Sequence, residues 1–82
     1  MADTQNQIVT VGVTGASGAI LAQKTLALLE EDARVAGVHL VVTEAGQRLF
    51  TEELGITSGD LRLLPGRILG HPAAKIDVLL TL

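Results

Sequence analysis

The residues best suited to chemistry are the run Val13-Thr14-Gly15-Ala16-Ser17-Gly18-Ala19-Ile20. Gly12, Gly15 and Gly18 stand three apart, and Gly15-Ala16-Ser17-Gly18 separates a β-branched apolar run from a stretch of helical periodicity. Glycine permits positive φ and close approach of backbone to ligand, while the free N–H groups and dipole of a helix start favour an anion. Ser17 adds a hydroxyl where a phosphate oxygen would sit. The chemistry this predicts is the holding of a phosphate by backbone donors. The same small residues also suit a tight turn that packs a helix closely on a strand, so both readings stay open at this point. A dinucleotide fingerprint would need glycine two residues before Gly15, where the chain has Val13, and no Gly-Lys-Ser/Thr follows to make a Walker-type loop.

The elements that must position this loop can be read on either side of it. Residues 8–13 are β-branched almost throughout, which predicts a strand buried on both faces and hence a parallel sheet. Residues 19–31 predict a helix with Leu21, Ala22, Thr25, Leu26, Leu28 and Leu29 on its core side and Gln23, Lys24, Glu30 and Glu31 opposite; Ile20 breaks the pattern. A turn over 32–37 leads to a second buried strand at 38–43, completing a strand-helix-strand unit. A second helix is predicted over 44–54 with Ala45, Leu49, Phe50 and Leu54 inward and Gly55 as its left-handed stop. Beyond Ile56 the pattern weakens. Thr57-Ser58-Gly59-Asp60 reads as a turn or N-cap cluster and residues 61–64 as a short apolar stretch. Pro65-Gly66 and His71-Pro72 mark a loop, and 76–82 reads as a third strand.

Composition bounds the function. The chain has 82 residues, 48% hydrophobic and 18% charged, with Phe50 its one aromatic residue, a net charge of −3 and no cysteine. No basic cluster tracks a nucleic-acid backbone, and no rings offer a stacking platform for bases. Disulfides, thiolate nucleophiles and zinc-thiolate sites are excluded together, which fits a reducing compartment. The polar start, residues 1–7, has no positive n-region, so a cytoplasmic protein is expected, and no apolar run reaches the roughly 20 residues of a membrane span. A mean hydropathy of +0.45 is high for so short a chain and predicts that part of its apolar surface meets a partner, with self-association as the expected state. A two-strand parallel sheet cannot bury both of its faces. The expectation is a single partial domain over 1–82, with a βαβα core at about 8–55 and a weakly patterned tail at 56–82. Its fold class is α/β, the N-terminal part of a Rossmann-like (flavodoxin-like) parallel three-layer sandwich.

The loop at 13–20, the Leu-rich helix after it and Val38-His39-Leu40-Val41-Val42-Thr43-Glu44-Ala45-Gly46 together resemble the N-terminal part of the UbiX-type flavin prenyltransferases, over residues 8 to about 55. The resemblance implies FMN as cofactor, with Gly15, Ala16 and Ser17 holding it and Thr43 in place of a serine that also touches it. Glu53 falls where the family has a glutamate in the flavin and prenyl-phosphate pocket. The implied reaction transfers a dimethylallyl group from dimethylallyl phosphate to N5 and C6 of the flavin, and the product serves partner UbiD-type decarboxylases; no metal is implied. Leu21, Glu44 and Gly46 depart from the family pattern. Its later flavin contacts, including Ser-Gly-Ser and Pro-Cys-Ser segments, do not occur in these 82 residues.

Competing assignments come from other classes. Thr-Gly-Ala-Ser-Gly also occurs in short-chain NAD(P) reductases, although that loop expects glycine where Leu21 stands; a non-catalytic remnant is the third reading. His39 reads as an ordinary strand residue and His71 as a loop residue, with no ligand spacing between them. Glu30, Glu31 and Asp32 read as a solvated patch. Glu52 and Glu53 are adjacent on a helix and cannot share one pocket, and without the resemblance both read as surface residues. Arg62, Arg67 and Lys75 carry no assigned role.

Overall fold

The structure, a computed structural model, describes residues 7–15, 18–56 and 60–79. Three strands form one parallel sheet: β1 (Gln7–Val13), β2 (Val35–Val42) and β3 (Ile76–Val78), in the order β1-β2-β3. This is the order of the first half of a doubly wound nucleotide-binding sheet, confirming the α/β class. Helix α1 (Ala19–Glu31) links β1 to β2, and α2 (Glu44–Leu54), a 3-10 turn at Leu61–Leu63 and α3 (Leu64–Leu69) link β2 to β3. The extents of α1 and α2 are those the periodicity predicts. Gly55, at φ 67°, ends α2 in the left-handed conformation expected of it.

The core lies between the sheet and one layer of helices. Val13, Val38, Leu40, Val42 and Ile76 point into it from the strands and meet Ala19, Leu26, Phe50, Leu64 and Ile68 from the helices. The alternate strand positions, Ile8, Thr10 and Gly12 with Gly37, His39 and Val41, belong to the opposite face, which no described helix covers. Ile8 is 58% exposed there. The β1 strand is therefore buried on one face, not two, because the side chains of a strand alternate and only one face meets a helical layer among the described residues.

Two further expectations change. Leu21 and Leu28, placed on the core side of α1, are exposed, at 60% and 73%. The buried stripe runs through Ala19, Ala22, Leu26 and Leu29, and Gln23, expected outside, donates from Nε2 to the Ile68 carbonyl at 2.8 Å. The apolar arc of α1 is wider than the surface available to it, so periodicity alone could not fix which edge faces inward. The segment around Pro65-Gly66 is a helix, not a loop: Asp60 caps the 3-10 turn by accepting from the Arg62 amide at 3.0 Å, Pro65 sits in the first turn of α3, and Gly70 closes it at φ 83°. Proline at a helix start and glycine past its end are start and stop signals.

Between α1 and β2, Asp32 accepts from the Arg34 backbone amide at 2.9 Å and pairs with its guanidinium at 2.9 Å. Hydrogen bonds from Arg34 hold the Asp32 carboxyl down at about 2, below its ordinary 3.8. A depressed carboxylate contributes stability above its unfolded value and loses it as pH falls through the folded one. Acid unfolding should therefore show a loss of stability between pH 3.8 and about 2 that Arg34→Ala diminishes. The register of α1 gives a second expectation: Leu26→Ala costs about 3 kcal/mol in urea unfolding, whereas Leu28→Ala stays within about 0.5 kcal/mol. The reverse ranking would refute the orientation.

Candidate functional site

The loop predicted to hold phosphate lies at the carboxyl end of the sheet, where β1 and β2 finish in register at Val13 and Val42. Two strand-to-helix junctions sit side by side there. Thr43 closes one onto the other: its backbone N–H donates to the Val13 carbonyl at 3.1 Å and its hydroxyl reaches the same oxygen at 3.4 Å. The Thr43 Oγ1 also accepts from the Gly46 amide at 3.1 Å, capping α2, and Glu44 places an acidic residue in the first turn where the helix dipole favours it.

Glycine is required twice in this contact. Gly15 has φ +92°, and a Cβ there would come within 3.0 Å of the Ala45 Cβ. Gly46 approaches still more closely, since a Cβ on it would lie 2.3 Å from the Val13 carbonyl oxygen. No ordinary side chain fits at that distance. Gly46, a departure from the family pattern, is thus accounted for by how tightly α2 sits on the end of β1.

Helix α2, capped by Thr43 where β2 ends, buries Phe50 in the core and brings its last turn to the start of α1. The contact at the far end is made by Glu53, whose Oε1 accepts from the Ala19 amide at 3.0 Å. The crossover into β3 is left to α3, which packs on α1 and β3. Gly15 and Thr43 are therefore brought together at the mouth of the two junctions, whereas Glu53 lies at the other end of α2, against the start of α1. Ala16 and Ser17 lie outside the described residues. His39 is half-buried in the central strand, level with Thr10 and Asp77, away from this site. Among the described residues no three histidine or acidic side chains gather as a metal set, and no helix is long and apolar enough to cross a membrane.

The arrangement is suited to an anion. The Ala19 N–H, at the start of a helix, donates to a carboxylate oxygen, so this backbone donor already holds a negatively charged partner. A backbone donor of this kind at a helix start is of the sort that suits the phosphate end of a nucleotide. A pocket of about 150 Å³ opens beside the loop, lined by Val11, Gly12, Val13, Thr14, Gly18, Leu21, Ala22 and Thr25.

Some structural residues escaped the sequence reading. Glu30, assigned to a solvated patch, accepts from the backbone amides of Ala74 and, at 3.0 Å, of Lys75; the Lys75 Nζ donates to the Asp32 carbonyl at 2.8 Å. These bonds join residues more than forty positions apart, and no local pattern announces them. The close approach at Gly46 gives the sharpest stability expectation: Gly46→Ala costs about 3 kcal/mol by denaturant unfolding, while Gly12→Ala, with nothing within 4 Å of the new Cβ, stays within about 0.5 kcal/mol. Equal effects at the two positions would contradict the packing.

Two curated relatives match the chain. One is the flavin prenyltransferase UbiX of Halalkalibacterium halodurans, 47% identical over 58 residues, which are 70% of this chain and 27% of that protein. The other is the flavin prenyltransferase UbiX of Alkalihalophilus pseudofirmus, 41% identical over 61 residues, 73% of this chain and 29% of that protein. No family profile and no solved structure matches. The chain spans under a third of the length of these relatives. Over the shared stretch it resembles the N-terminal portion of the UbiX-type flavin prenyltransferases.

Proposed function

We propose that the chain binds FMN through the Gly15–Gly18 loop and forms one side of a flavin prenyltransferase site. The observation that carries this reading is that the two ends of the Gly15–Gly18 loop both meet α2, Gly15 against Ala45 in its first turn and the Ala19 N–H, which follows the loop at a helix start, against the Glu53 carboxylate in its last. In this assignment Gly15, Ala16 and Ser17 hold the nucleotide phosphate, and Thr43 lines the same mouth while capping α2. Glu53 takes the place of the glutamate that lines the family's flavin and prenyl-phosphate pocket. Bound reduced FMN would supply the N5 and C6 positions to which a dimethylallyl group, delivered as dimethylallyl phosphate, is attached. The product would serve a UbiD-type decarboxylase. A single partial domain over 1–82, acting in a homo-oligomer in the cytoplasm, completes the proposal.

The chemistry asked of the described residues is binding and orientation. Backbone N–H groups at a helix start hold a phosphate without the counter-charge of a lysine or arginine, so the loop needs no basic side chain. A nucleotide site at the carboxyl end of a parallel sheet also follows the general placement of ligands in doubly wound folds. Titration of the 82-residue chain with FMN, followed by flavin fluorescence and thermal melting, tests the reading. FMN should bind and raise the melting temperature, and riboflavin, which lacks the phosphate, should bind at least about tenfold more weakly. Stabilisation by NADPH and not by FMN would favour a nucleotide reductase instead, and no response to either ligand would overturn the proposal.

A further inference from the structure

Strand β1 is an edge of the sheet: β2 pairs with one side of it, and no described strand pairs with the other. The Val13 carbonyl is taken by the Thr43 amide at the end of β2. Because the N–H and C=O of one strand residue point the same way and alternate along the chain, Val9, Val11 and Val13 turn theirs to β2. Ile8, Thr10 and Gly12 turn theirs to the open edge. The usual guards of an edge are missing from Gln7–Val13, which has no charge and no proline, and its one irregularity lies between Gln7 and Ile8.

The flank of α1 above this edge is open in the same direction. Gln23 bonds to α3 and Glu30 to the entrance of β3, so that side of the helix faces the rest of the fold. Leu21, Thr25 and Leu28 lie half a turn round from it. Leu21 and Thr25 line a pocket there together with Gly12, Val13 and Thr14 of the strand end, and Leu21 and Leu28 are exposed. We propose that this flank is the interface between two copies of the chain, whose β1 strands pair antiparallel about a two-fold axis at Thr10.

The sequence of β1 fits itself in that register. Thr10 faces Thr10, Ile8 of each copy faces Gly12 of the other, and each of these pairs exchanges both of its backbone bonds. Val9 faces Val11 as a close β-branched pair on the helix-covered side. On the open side the exposed Ile8, whose Cδ1 already lies beside Gly37, finds room over the second copy's Gly12, where nothing stands within 4 Å of an added Cβ. Since α1 runs back along β1, the same axis brings Leu21 of one copy toward Leu28 of the other. A two-fold contact of this kind buries one patch on both copies, and with no charged group on the strand it sets no like charges of two chains of net charge −3 directly opposite each other. The inference gives a surface to the homo-oligomer of the reading above; it rests on that part of the reading and not on the flavin.

Sedimentation equilibrium and amide hydrogen exchange on the 82-residue chain test it. The expected result is a dimer in which the Ile8, Thr10 and Gly12 amides are protected, with protection falling on dilution through the dissociation constant. Thr10→Pro removes the donors at the axis and no donor to β2, and proline is tolerated on an edge but not in a paired strand. It should keep the circular dichroism of wild type and raise the dimer dissociation constant at least about tenfold. Should that variant lose its fold, the exchange pattern of wild type decides alone. A wild type that stays monomeric at submillimolar concentration would overturn the interface. So would a dimer whose Ile8, Thr10 and Gly12 amides exchange as freely as exposed ones, since its contact would lie elsewhere, as on the open face of the sheet. A monomer that binds FMN leaves the functional reading standing, whereas an edge-paired dimer that binds none removes that reading and keeps the interface.

Discussion

The structure depends on how closely the start of α2 rests on the end of β1. With Gly46 against the Val13 carbonyl, and Thr43 bonding that same oxygen from backbone and side chain, the two strand-to-helix junctions become one rigid unit. The course of α2 follows from this. Pinned at its first turn, the helix runs for eleven residues at about 1.5 Å each, and its last turn meets the beginning of α1 through Glu53. A bulkier residue at position 46 would lift that turn and carry Glu53 away from Ala19, so the site is set by a backbone contact made at the opposite end of the helix.

Much of this was legible in the sequence, for identifiable reasons. The β-branched run ending at glycine, the amphipathic helix and the Gly55 stop are local signals, and they located β1, α1 and α2. What local signals cannot carry is the choice among equivalent apolar surfaces. Six apolar or near-apolar positions of α1 share a broad arc, and the packing of α1 on β2, α2 and α3 turns Leu26 inward and leaves Leu28 outward. The α3 helix was obscured because its punctuation, Pro65 and Gly70, was read as loop chemistry, although the same residues open and close helices. At the site, Gly15 came from motif and context together, and Thr43 from the resemblance. Glu53 came from resemblance alone, since an exposed acid on a helix has no distinguishing pattern until the fold sets it against another helix.

The helices lie on one side of the sheet, and this explains the composition. A chain that packs both faces of its strands would need its apolar residues inside; here Ile8 and Val41 belong to the face without a helical layer, and Leu21 and Leu28 lie outward on α1. The high mean hydropathy thus reflects surfaces that the described residues do not cover among themselves.

The bonds from Ala74 and Lys75 to Glu30 have a consequence for cooperativity. Strand β3 has three residues and one neighbouring strand, too little backbone pairing to hold by itself. Glu30 fastens the entrance of that strand to the last turn of α1, and Lys75 fastens it again to the Asp32 carbonyl. The shortest strand and the longest helix are therefore mechanically one piece: fraying of the final turn of α1 would release the sheet's far edge, and the two should open and close as a single unit.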